Sequence, residues 1–193
     1  MEKEIECHPW TPYIPYGAKI LFVGSFPPDS SKWSMEFYYP NWINDFWRIM
    51  GLLYYDDKEH FCDIASKSFK LNDIRDFLKE QKIAIGDMAV EVRRLKGNAS
   101  DKFLEIVTPL LLGDVLQNMP ECRALVATGE KAAQEIAMQM GIAVPNVGEY
   151  VEVKVDGGYL RVYRMPSTSR AYPLALTKKA EHYRKLFVEM GML

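Results

Sequence analysis

Two short, mainly apolar runs that each end at a glycine restrict the fold of this chain more than any other feature. They are Ala18-Lys-Ile-Leu-Phe-Val-Gly24 and Ala124-Leu-Val-Ala-Thr-Gly129. Apolar residues at consecutive positions are typical of a strand that is buried on both faces. Behind the second run, apolar residues recur at helical spacing until Gly141, which is a typical helix stop. The sequence therefore predicts a strand-turn-helix unit of an α/β fold.

Further strands and helices extend this pattern. Ile83-Ala-Ile-Gly-Asp87 reads as a third strand, and residues 151–155 and 159–163 alternate around a glycine-rich turn, as the arms of a hairpin do. Strands that alternate with helices favour a mostly parallel sheet with helices on both faces. We expect helices at residues 44–53, 72–81 and 110–117, the last opened by Thr108-Pro109, and in the stretch with Ala180, Tyr183, Leu186, Phe187 and Met190.

Length and charge limit the class of protein. A chain of 193 residues fits one domain over 1–193. With 24 Lys and Arg against 26 Asp and Glu, the formal charge is −2, which excludes a uniformly basic, histone-like protein but allows a local basic face. The start, MEKEIECHPW, lacks the apolar core of a signal peptide, and no run of about 18 apolar residues could span a membrane. We therefore expect a cytoplasmic protein without a membrane partner.

The cysteines and histidines give no metal-binding pattern. Cys7, Cys62 and Cys122 are odd in number, far apart and outside any Cys-x-x-Cys spacing. Three scattered histidines add no repeated pair that would complete a tetrahedral set. We expect three free thiols and no metal site.

Three segments near the expected carboxyl ends of strands could bind a ligand, because ligands of such folds bind there. Gly24-Ser-Phe-Pro-Pro28 offers backbone amides to an anion or a base, although a simple turn is an equal alternative. Residues 37–47 hold many rings, which is typical of a core, but Asn41 and Asn44 are costly to bury without bonding partners. Met165-Pro-Ser-Thr-Ser-Arg170 places hydroxyls beside a cation, as a phosphate site requires.

A basic segment surrounds the last of these loops. Between residues 161 and 185, seven basic residues stand against one acid, Glu181, which gives this window +6 and leaves −8 for the rest of a chain of charge −2. Such a cluster suits a nucleic-acid backbone. A solvated helix face is the alternative interpretation.

In this order and spacing, the three segments resemble motifs of the uracil-DNA glycosylase superfamily, most closely its mismatch-specific and hypoxanthine-removing branches. Gly24-Ser-Phe-Pro-Pro28 is similar to the Gly-Ser-x-Pro-Gly of the hypoxanthine branch, Asn44-Asp-Phe-Trp47 to its Asn-x-Phe-Trp, and Met165-Pro-Ser-Thr-Ser169 to its Leu-Pro-Ser-Thr-Ser. The resemblance runs from about Lys19 to Phe187, with secondary landmarks at residues 83–87, 97–101 and 128–133.

The resemblance implies a three-layer α/β/α sandwich with a central, mostly parallel sheet of about four strands. It also implies a monofunctional DNA N-glycosylase of base-excision repair. Such a hydrolase flips a deaminated base, uracil or hypoxanthine, out of DNA and cleaves its N-glycosidic bond. The implied partner is DNA that contains a damaged base, no cofactor or metal is needed, and we expect a monomer.

The resemblance also implies roles for individual residues. Asn44 is the implied catalytic residue. The mismatch-specific branch has a catalytic Asn in its first motif, but Phe26 stands at that position here. Phe37 is the ring expected to stack on the flipped base, with Tyr38 in reserve. The implied base-binding residues are Gly24, Ser25, Phe26, Phe37 and Tyr38, and the implied DNA-binding residues are Ser167, Thr168, Ser169 and Arg170.

Other roles and functions stay open at this point. Asp87 could position water or form a local hydrogen bond. Asp101 could also position water, or it could cap a helix. Phe26, Pro28 and Met165 replace groups that usually assist the reaction, so a non-catalytic nucleic-acid-binding protein of the same fold is an alternative. A small enzyme acting on a free nucleoside or nucleotide is a third hypothesis, but it needs no long basic segment.

Overall fold

The computed structural model describes residues 4–95, 103–155 and 157–193. Within these residues the strands are β1 (Ile5–Cys7), β2 (Ile20–Gly24), β3 (Cys62–Asp63), β4 (Ser68–Phe69), β5 (Ile83–Asp87), β6 (Ala89–Arg94), β7 (Leu104–Pro109), β8 (Ala124–Ala127), β9 (Glu149–Val155) and β10 (Gly158–Arg164). The α-helices are α1 (Phe46–Tyr55), α2 (Leu71–Glu80), α3 (Leu112–Gln117), α4 (Glu130–Met140) and α5 (Leu176–Glu189).

The central sheet has five strands in the order β5-β2-β8-β10-β9. Its first four strands are parallel, with Ile20 of β2 paired to Ile83 on one side and to Ala124 on the other. β9 adds an antiparallel edge as the second arm of a hairpin with β10. The predicted α/β fold with a mostly parallel sheet is confirmed, and β9 makes a fifth strand beside the four expected. The carboxyl ends of the four parallel strands meet at one edge.

Two separate apolar clusters are buried on opposite faces of this sheet. Ile20 and Phe22 pack with side chains of α1, α2 and α5, whereas Leu21 and Val23 pack with side chains of α3 and α4. Neighbouring residues of a strand point to opposite faces, so β2 is apolar at every position because both of its faces are covered. The predicted stop at Gly141 is confirmed by its left-handed φ of +65° at the end of α4.

The helix predicted at residues 110–117 begins later than expected. Thr108 and Pro109 are the last residues of β7, which pairs with β6 in a small antiparallel sheet of the order β1-β6-β7. α3 starts only at Leu112. The prediction that Thr108-Pro109 opens the helix is therefore wrong, because the ladder with β6 continues through these residues and the β-branched Thr108 suits a strand. The landmark at residues 97–101, with Asp101, lies outside the described residues.

Candidate active site

Gly24 is the last residue of β2, and the carboxylate of Asp87 lies against its backbone. It pairs with Asp87 of β5, and a Cβ added to Gly24 would lie 2.5 Å from Oδ1 of Asp87 and 3.4 Å from the hydroxyl of Tyr39. A side chain at Gly24 would displace that carboxylate, so the close approach depends on glycine. The Ala89 N–H donates to the carbonyl oxygen of Ser25 at 3.2 Å and fixes the start of the loop. Gly24 and Ser25, both predicted to bind the base, thus lie beside Asp87.

His8 belongs to this cluster, although sequence reasoning did not place it there. Its Nε2 lies 2.9 Å from Oδ2 of Asp87, and the two side chains are only 5% and 8% exposed. Its Nδ1 lies 3.0 Å from the amide nitrogen and 2.6 Å from the carbonyl oxygen of Trp10. A neutral ring that donates Nε2–H to the carboxylate accepts the Trp10 N–H at Nδ1, whereas an imidazolium donates Nδ1–H to the carbonyl oxygen. Either form holds Asp87 in one orientation.

Three aromatic rings surround the His8 imidazole. The Tyr38 ring stacks on it with the centroids 5.7 Å apart, while Phe26 and Trp10 meet it edge-on at 5.2 and 5.7 Å. Phe26 is half-buried and has the guanidinium of Arg94 5.6 Å from its ring centroid. The structure therefore brings together Phe26 and Tyr38, two of the residues predicted to contact the base. That contact stays a prediction.

Tyr38 and Tyr39 differ in how their hydroxyls are bonded. The hydroxyl of Tyr39 lies 2.7 Å from Oγ1 of Thr128, which donates to the carbonyl oxygen of Val23 at 3.3 Å. The hydroxyl of Tyr38 is buried, and no described residue hydrogen-bonds it. Burial, and then the charge of Asp87, raise the pKa of both tyrosines above the usual value, so both stay protonated at neutral pH. Tyr38 thus has a buried donor with no partner in the described protein.

Phe37 lies in the core at 4% exposure. The ring of Trp47 stacks on it at a centroid distance of 6.4 Å, and the guanidinium of Arg75 is 5.5 Å from its centroid. Its ring meets that of Tyr38 edge-on at 5.3 Å. The two candidates for stacking on a base are therefore neighbours, and only Tyr38 of the two also contacts His8. Stacking by Phe37 stays a prediction.

Asn44 lies just before α1 and is partly exposed. Its Oδ1 accepts the Phe46 N–H at 2.9 Å, and its carbonyl oxygen accepts from Nη1 of Arg48 at 3.2 Å. The neighbouring Asp45 N–H donates to the carbonyl oxygen of Thr168 at 2.9 Å. This bond joins the start of α1 to the loop after β10, so the structure brings Asn44 together with the predicted DNA-binding loop.

An ion network on Asp45 reinforces that junction. Oδ2 of Asp45 accepts from Nζ of Lys179 at 2.9 Å, and Oδ1 accepts from Nε of Arg170 at 3.1 Å. Lys179 also donates to the carbonyl oxygen of Ser169 at 2.8 Å and is fully buried. The buried ammonium is tolerated because the Asp45 carboxylate and the Ser169 carbonyl oxygen compensate its charge. Sequence reasoning missed both Asp45 and Lys179.

The loop after β10 presents its residues unequally. Met165, Pro166 and Thr168 are buried, whereas Ser169 and Arg170 are exposed. The hydroxyls of Ser167 and Ser169 accept the N–H groups of Ser169 and Ala171, each at 3.2 Å, so they fix the turn. Of the four residues predicted to contact DNA, the last two are thus presented to solvent.

Most cations of the basic segment have acidic partners. Arg170 and Lys179 share Asp45, and the other pairs are Arg161–Glu152, Arg164–Glu130, Lys178–Glu181 and Lys185–Glu189. The +6 of this window is therefore partly neutralised by acids elsewhere in the chain. A continuous, unpaired basic face does not follow from the charge count alone.

The cysteines and the helices bear on two other classes of site. All three cysteines are free, as predicted. In the described part of the chain, no three His, Cys, Asp or Glu side chains form a group that could hold a metal ion. The described helices include none with the length and apolar character of a membrane span.

Comparison with known proteins rests on structure. No protein-family model and no curated protein matches the chain. It is similar to the solution structure of a "putative Uracil DNA glycosylase" from Methanosarcina acetivorans, with a TM-score of 0.60 and 20% sequence identity over 95% of this chain and 99% of that one. The chain therefore shares the fold of that protein across nearly its whole length.

Proposed function

We propose that this protein is a monofunctional DNA N-glycosylase that removes a deaminated base, uracil or hypoxanthine, from DNA. One observation carries the proposal: three motif segments gather at the carboxyl edge of a sheet whose fold matches that of the protein described as a "putative Uracil DNA glycosylase". We infer that the helices on the two sheet faces are the outer layers of the three-layer sandwich. The closeness to the hypoxanthine branch is part of the same proposal.

The base site that we propose is formed by Gly24, Ser25, Phe26, Phe37 and Tyr38. The hydroxyl of Tyr38 supports this assignment, because it is buried beside the first motif and no described residue hydrogen-bonds it. A buried donor without a partner is costly, and a carbonyl oxygen of a flipped base would satisfy it. The half-buried ring of Phe26 offers apolar surface to a base, and the buried ring of Phe37, our proposed stacking residue, packs against Tyr38.

The reaction needs water at C1′ of the sugar. Water forms the new C–O bond while the bond from C1′ to the base nitrogen breaks, its electron pair leaves with the base, and one proton of the water is released. Asn44 is our candidate to hold this water, because its Oδ1 has a second lone pair beyond the one used by the Phe46 N–H. Asp87, held by His8, is the second group whose negative charge could stabilise the cationic sugar.

We propose that DNA is gripped by Ser167, Thr168, Ser169 and Arg170. Ser169 and Arg170 are exposed, and Arg170 is fixed by Asp45 next to Asn44. An arginine and small hydroxyls are suited to phosphate oxygens. These contacts would place the strand at the start of α1, beside the proposed catalytic residue.

One observation favours a second candidate function, a non-catalytic DNA-binding protein. Phe26 and Met165 are apolar where related glycosylases carry groups that act on water or on the leaving base, and Met165 is buried. Such a protein would bind DNA, with affinity that falls steeply with salt, and form no product.

The test is strand cleavage after alkali, on labelled oligonucleotides that carry one uracil, hypoxanthine or xanthine, single-stranded and in each mismatch. We expect product from the wild type, and a loss of about 100-fold or more in Asn44→Ala. Asn44→Ser keeps a side-chain acceptor for the Phe46 N–H, so loss of product there separates chemistry from the turn that precedes α1. Asn41→Ala is the matched control, because Oδ1 of Asn41 likewise accepts the N–H two residues further on, that of Ile43, at 3.1 Å.

Each outcome selects one explanation. Loss of product in Asn44→Ser but not in Asn41→Ala supports Asn44 as the catalytic residue. Loss only in Asp87→Asn assigns the water to Asp87 instead. Absence of product from the wild type on every oligonucleotide, with DNA binding retained, overturns the glycosylase proposal in favour of the non-catalytic one.

A further inference from the structure

A groove of about 570 Å³ lies beside the β3–β4 hairpin, next to the start of α1. We call it the hairpin groove. Its cationic lining comes from three parts of the chain: the helix α1, the segment that forms the hairpin, and the segment from the loop after β10 into α5. The basic lining residues are Arg48, Lys58, Lys67, Arg170 and Lys179.

Two cations of this groove are buried, Lys179 and Arg48, and of the two only Lys179 has an ion-pair partner among the described residues. Arg48 is 6% exposed, and its Nη1 donates to the carbonyl oxygens of Trp42 at 2.7 Å and Asn44 at 3.2 Å. Its guanidinium carbon lies 4.5 Å from the centroid of the Trp42 ring. Among the described residues, no carboxylate forms an ion pair with it. A buried guanidinium whose contacts are carbonyl oxygens and a ring, with no carboxylate at ion-pair distance, favours an anion in the space that it lines.

The remaining charges of the groove strengthen this preference. Only two carboxylates line it, Asp45 and Glu59, against five cations. Asp45 is already shared by Lys179 and Arg170, and Glu59 is exposed. The side chains that line the groove therefore carry a net positive charge of about three, and a concave site focuses the field of like charges.

Electrostatics at Arg48 agree with this geometry. Burial is the main cause that lowers the pKa of the Arg48 guanidinium from its ordinary value, and the positive charge of Arg170 lowers it as well. Cys62, Asp45 and Glu59 act on this pKa in the opposite direction. Two cations that disfavour each other across a groove are stabilised together when an anion lies between them.

Two lysines complete the arrangement, one before the hairpin and one in its turn. Lys58 and Lys67 are exposed, and neither forms an ion pair with a described residue. Their side chains are free to follow a flexible ligand, whereas Arg48 is fixed on Trp42. An anionic chain with repeated charges fits one fixed and two mobile cations better than a single small ion does.

We infer that the hairpin groove binds backbone phosphates of a nucleic-acid strand and forms a second DNA contact beyond the Ser167–Arg170 loop. The inference rests on the proposed function only in taking the strand to be DNA. Arg170 lines the groove and Arg48 bonds the carbonyl oxygen of Asn44, so a strand in the groove continues directly from the proposed site. The hairpin would thereby extend the grip on DNA to one side of the flipped nucleotide.

The test measures binding of an undamaged, fluorescently labelled single strand and duplex over a range of salt concentrations. The double variant Lys58→Gln/Lys67→Gln removes two exposed charges and keeps side-chain length. We expect weaker binding, and a slope of log affinity against log salt that is smaller by about 2, since each phosphate contact contributes about 1. Lys154→Gln, on β9 at the end of the central sheet where β10 begins, is a single-charge control and should leave the slope unchanged.

Arg48→Met tests the buried cation that has no ion-pair partner among the described residues. We expect weaker binding to the strand with a folded protein, which thermal unfolding verifies. A Lys58→Gln/Lys67→Gln protein that binds DNA with the affinity and slope of Lys154→Gln overturns the inference. A second result also overturns the inference. If the double variant no longer binds inorganic phosphate, measured by calorimetry, but binds DNA as the wild type does, the groove takes a free anion.

Failure of this inference can be told apart from failure of the proposed function. Binding of undamaged DNA requires no base excision, so a reduced slope with no cleaved product supports the groove and contradicts the glycosylase. If the wild type cleaves a damaged oligonucleotide but the slope of the double variant is unchanged, the glycosylase is supported and the groove is contradicted.

Discussion

The ammonium of Lys179 lies 2.9 Å from Oδ2 of Asp45, and both residues are buried. One belongs to α5 and the other precedes α1, and Lys179 also donates to the carbonyl oxygen of Ser169. This single pair therefore connects two helices and the loop that we propose to contact DNA. A buried ion pair gives little net stability over an apolar pair, but it makes removal of one partner costly.

Lys179→Met should lower the free energy of unfolding by about 3–5 kcal/mol, because it leaves the buried Asp45 carboxylate with only the exposed Arg170 as a partner. Urea denaturation measures this change. Lys178→Met is the matched control, since Lys178 and Glu181 form a surface pair at 62% exposure each and should change stability by less than about 1 kcal/mol. Equal losses in the two variants would contradict a structural role for the buried pair.

The elements that the sequence predicted best are those whose pattern is local. β2 is apolar at every position because both of its faces are covered, and this alone indicates a central strand. Thr108 shows the limit of such patterns. Its cap-like sequence is local, but the ladder to β6 depends on residues far away in the chain.

The site could be predicted only in part, because its contacts span long distances in sequence. Nothing near His8 in the sequence indicates that it pairs with Asp87, 79 positions away. Lys179 is different, because it precedes Tyr183 by one helical turn and falls on the buried stripe of α5. A lysine on that stripe was a usable signal of a buried ion pair, but the count of basic residues in the segment concealed it.

Gly24→Ala should lower the free energy of unfolding by about 1–3 kcal/mol, because its Cβ would lie 2.5 Å from Oδ1 of Asp87. The same change in an Asp87→Ala background should cost less, since that acid is then absent. A double-mutant cycle by urea denaturation measures the difference, which we expect to be about 1 kcal/mol or more.

Two controls distinguish a steric clash from a general cost of alanine at this site. Asp87→Asn keeps the size of the side chain, so Gly24→Ala should remain costly in that background. Gly86→Ala places a Cβ at an ordinary 3.5 Å from Pro12 and should be nearly neutral. Additive effects of Gly24→Ala and Asp87→Ala would show that the close approach does not determine the need for glycine.

Alkylation should separate the three thiols. Cys7 is exposed, whereas burial raises the pKa of Cys122 to about 11 and raises that of Cys62 above its usual value. At pH 8, far below 11, the Cys122 thiol stays protonated and unreactive, because only the thiolate attacks. Mass spectrometry after iodoacetamide should find one modification per folded chain, none in Cys7→Ser, and three in urea. Early labelling of Cys122 in the folded protein would contradict its burial.

Tyr38→Phe and Tyr39→Phe should change stability in opposite directions. The hydroxyl of Tyr38 has no hydrogen-bond partner among the described residues, so its removal should raise the free energy of unfolding by about 1 kcal/mol. Tyr39→Phe breaks the 2.7 Å contact with Thr128 and should lower that free energy by about 1 kcal/mol. Urea denaturation of the two variants gives both values.

Activity on a damaged oligonucleotide then shows what the unbonded hydroxyl is for. If Tyr38 donates to the flipped base, Tyr38→Phe should be more stable yet lose about tenfold or more in kcat/KM, because a site built to hydrogen-bond its substrate loses that interaction. Tyr39→Phe should keep a larger share of kcat/KM despite its lower stability. A Tyr38→Phe protein that is destabilised and fully active would contradict both the unpaired state of this hydroxyl and its assignment to the base site.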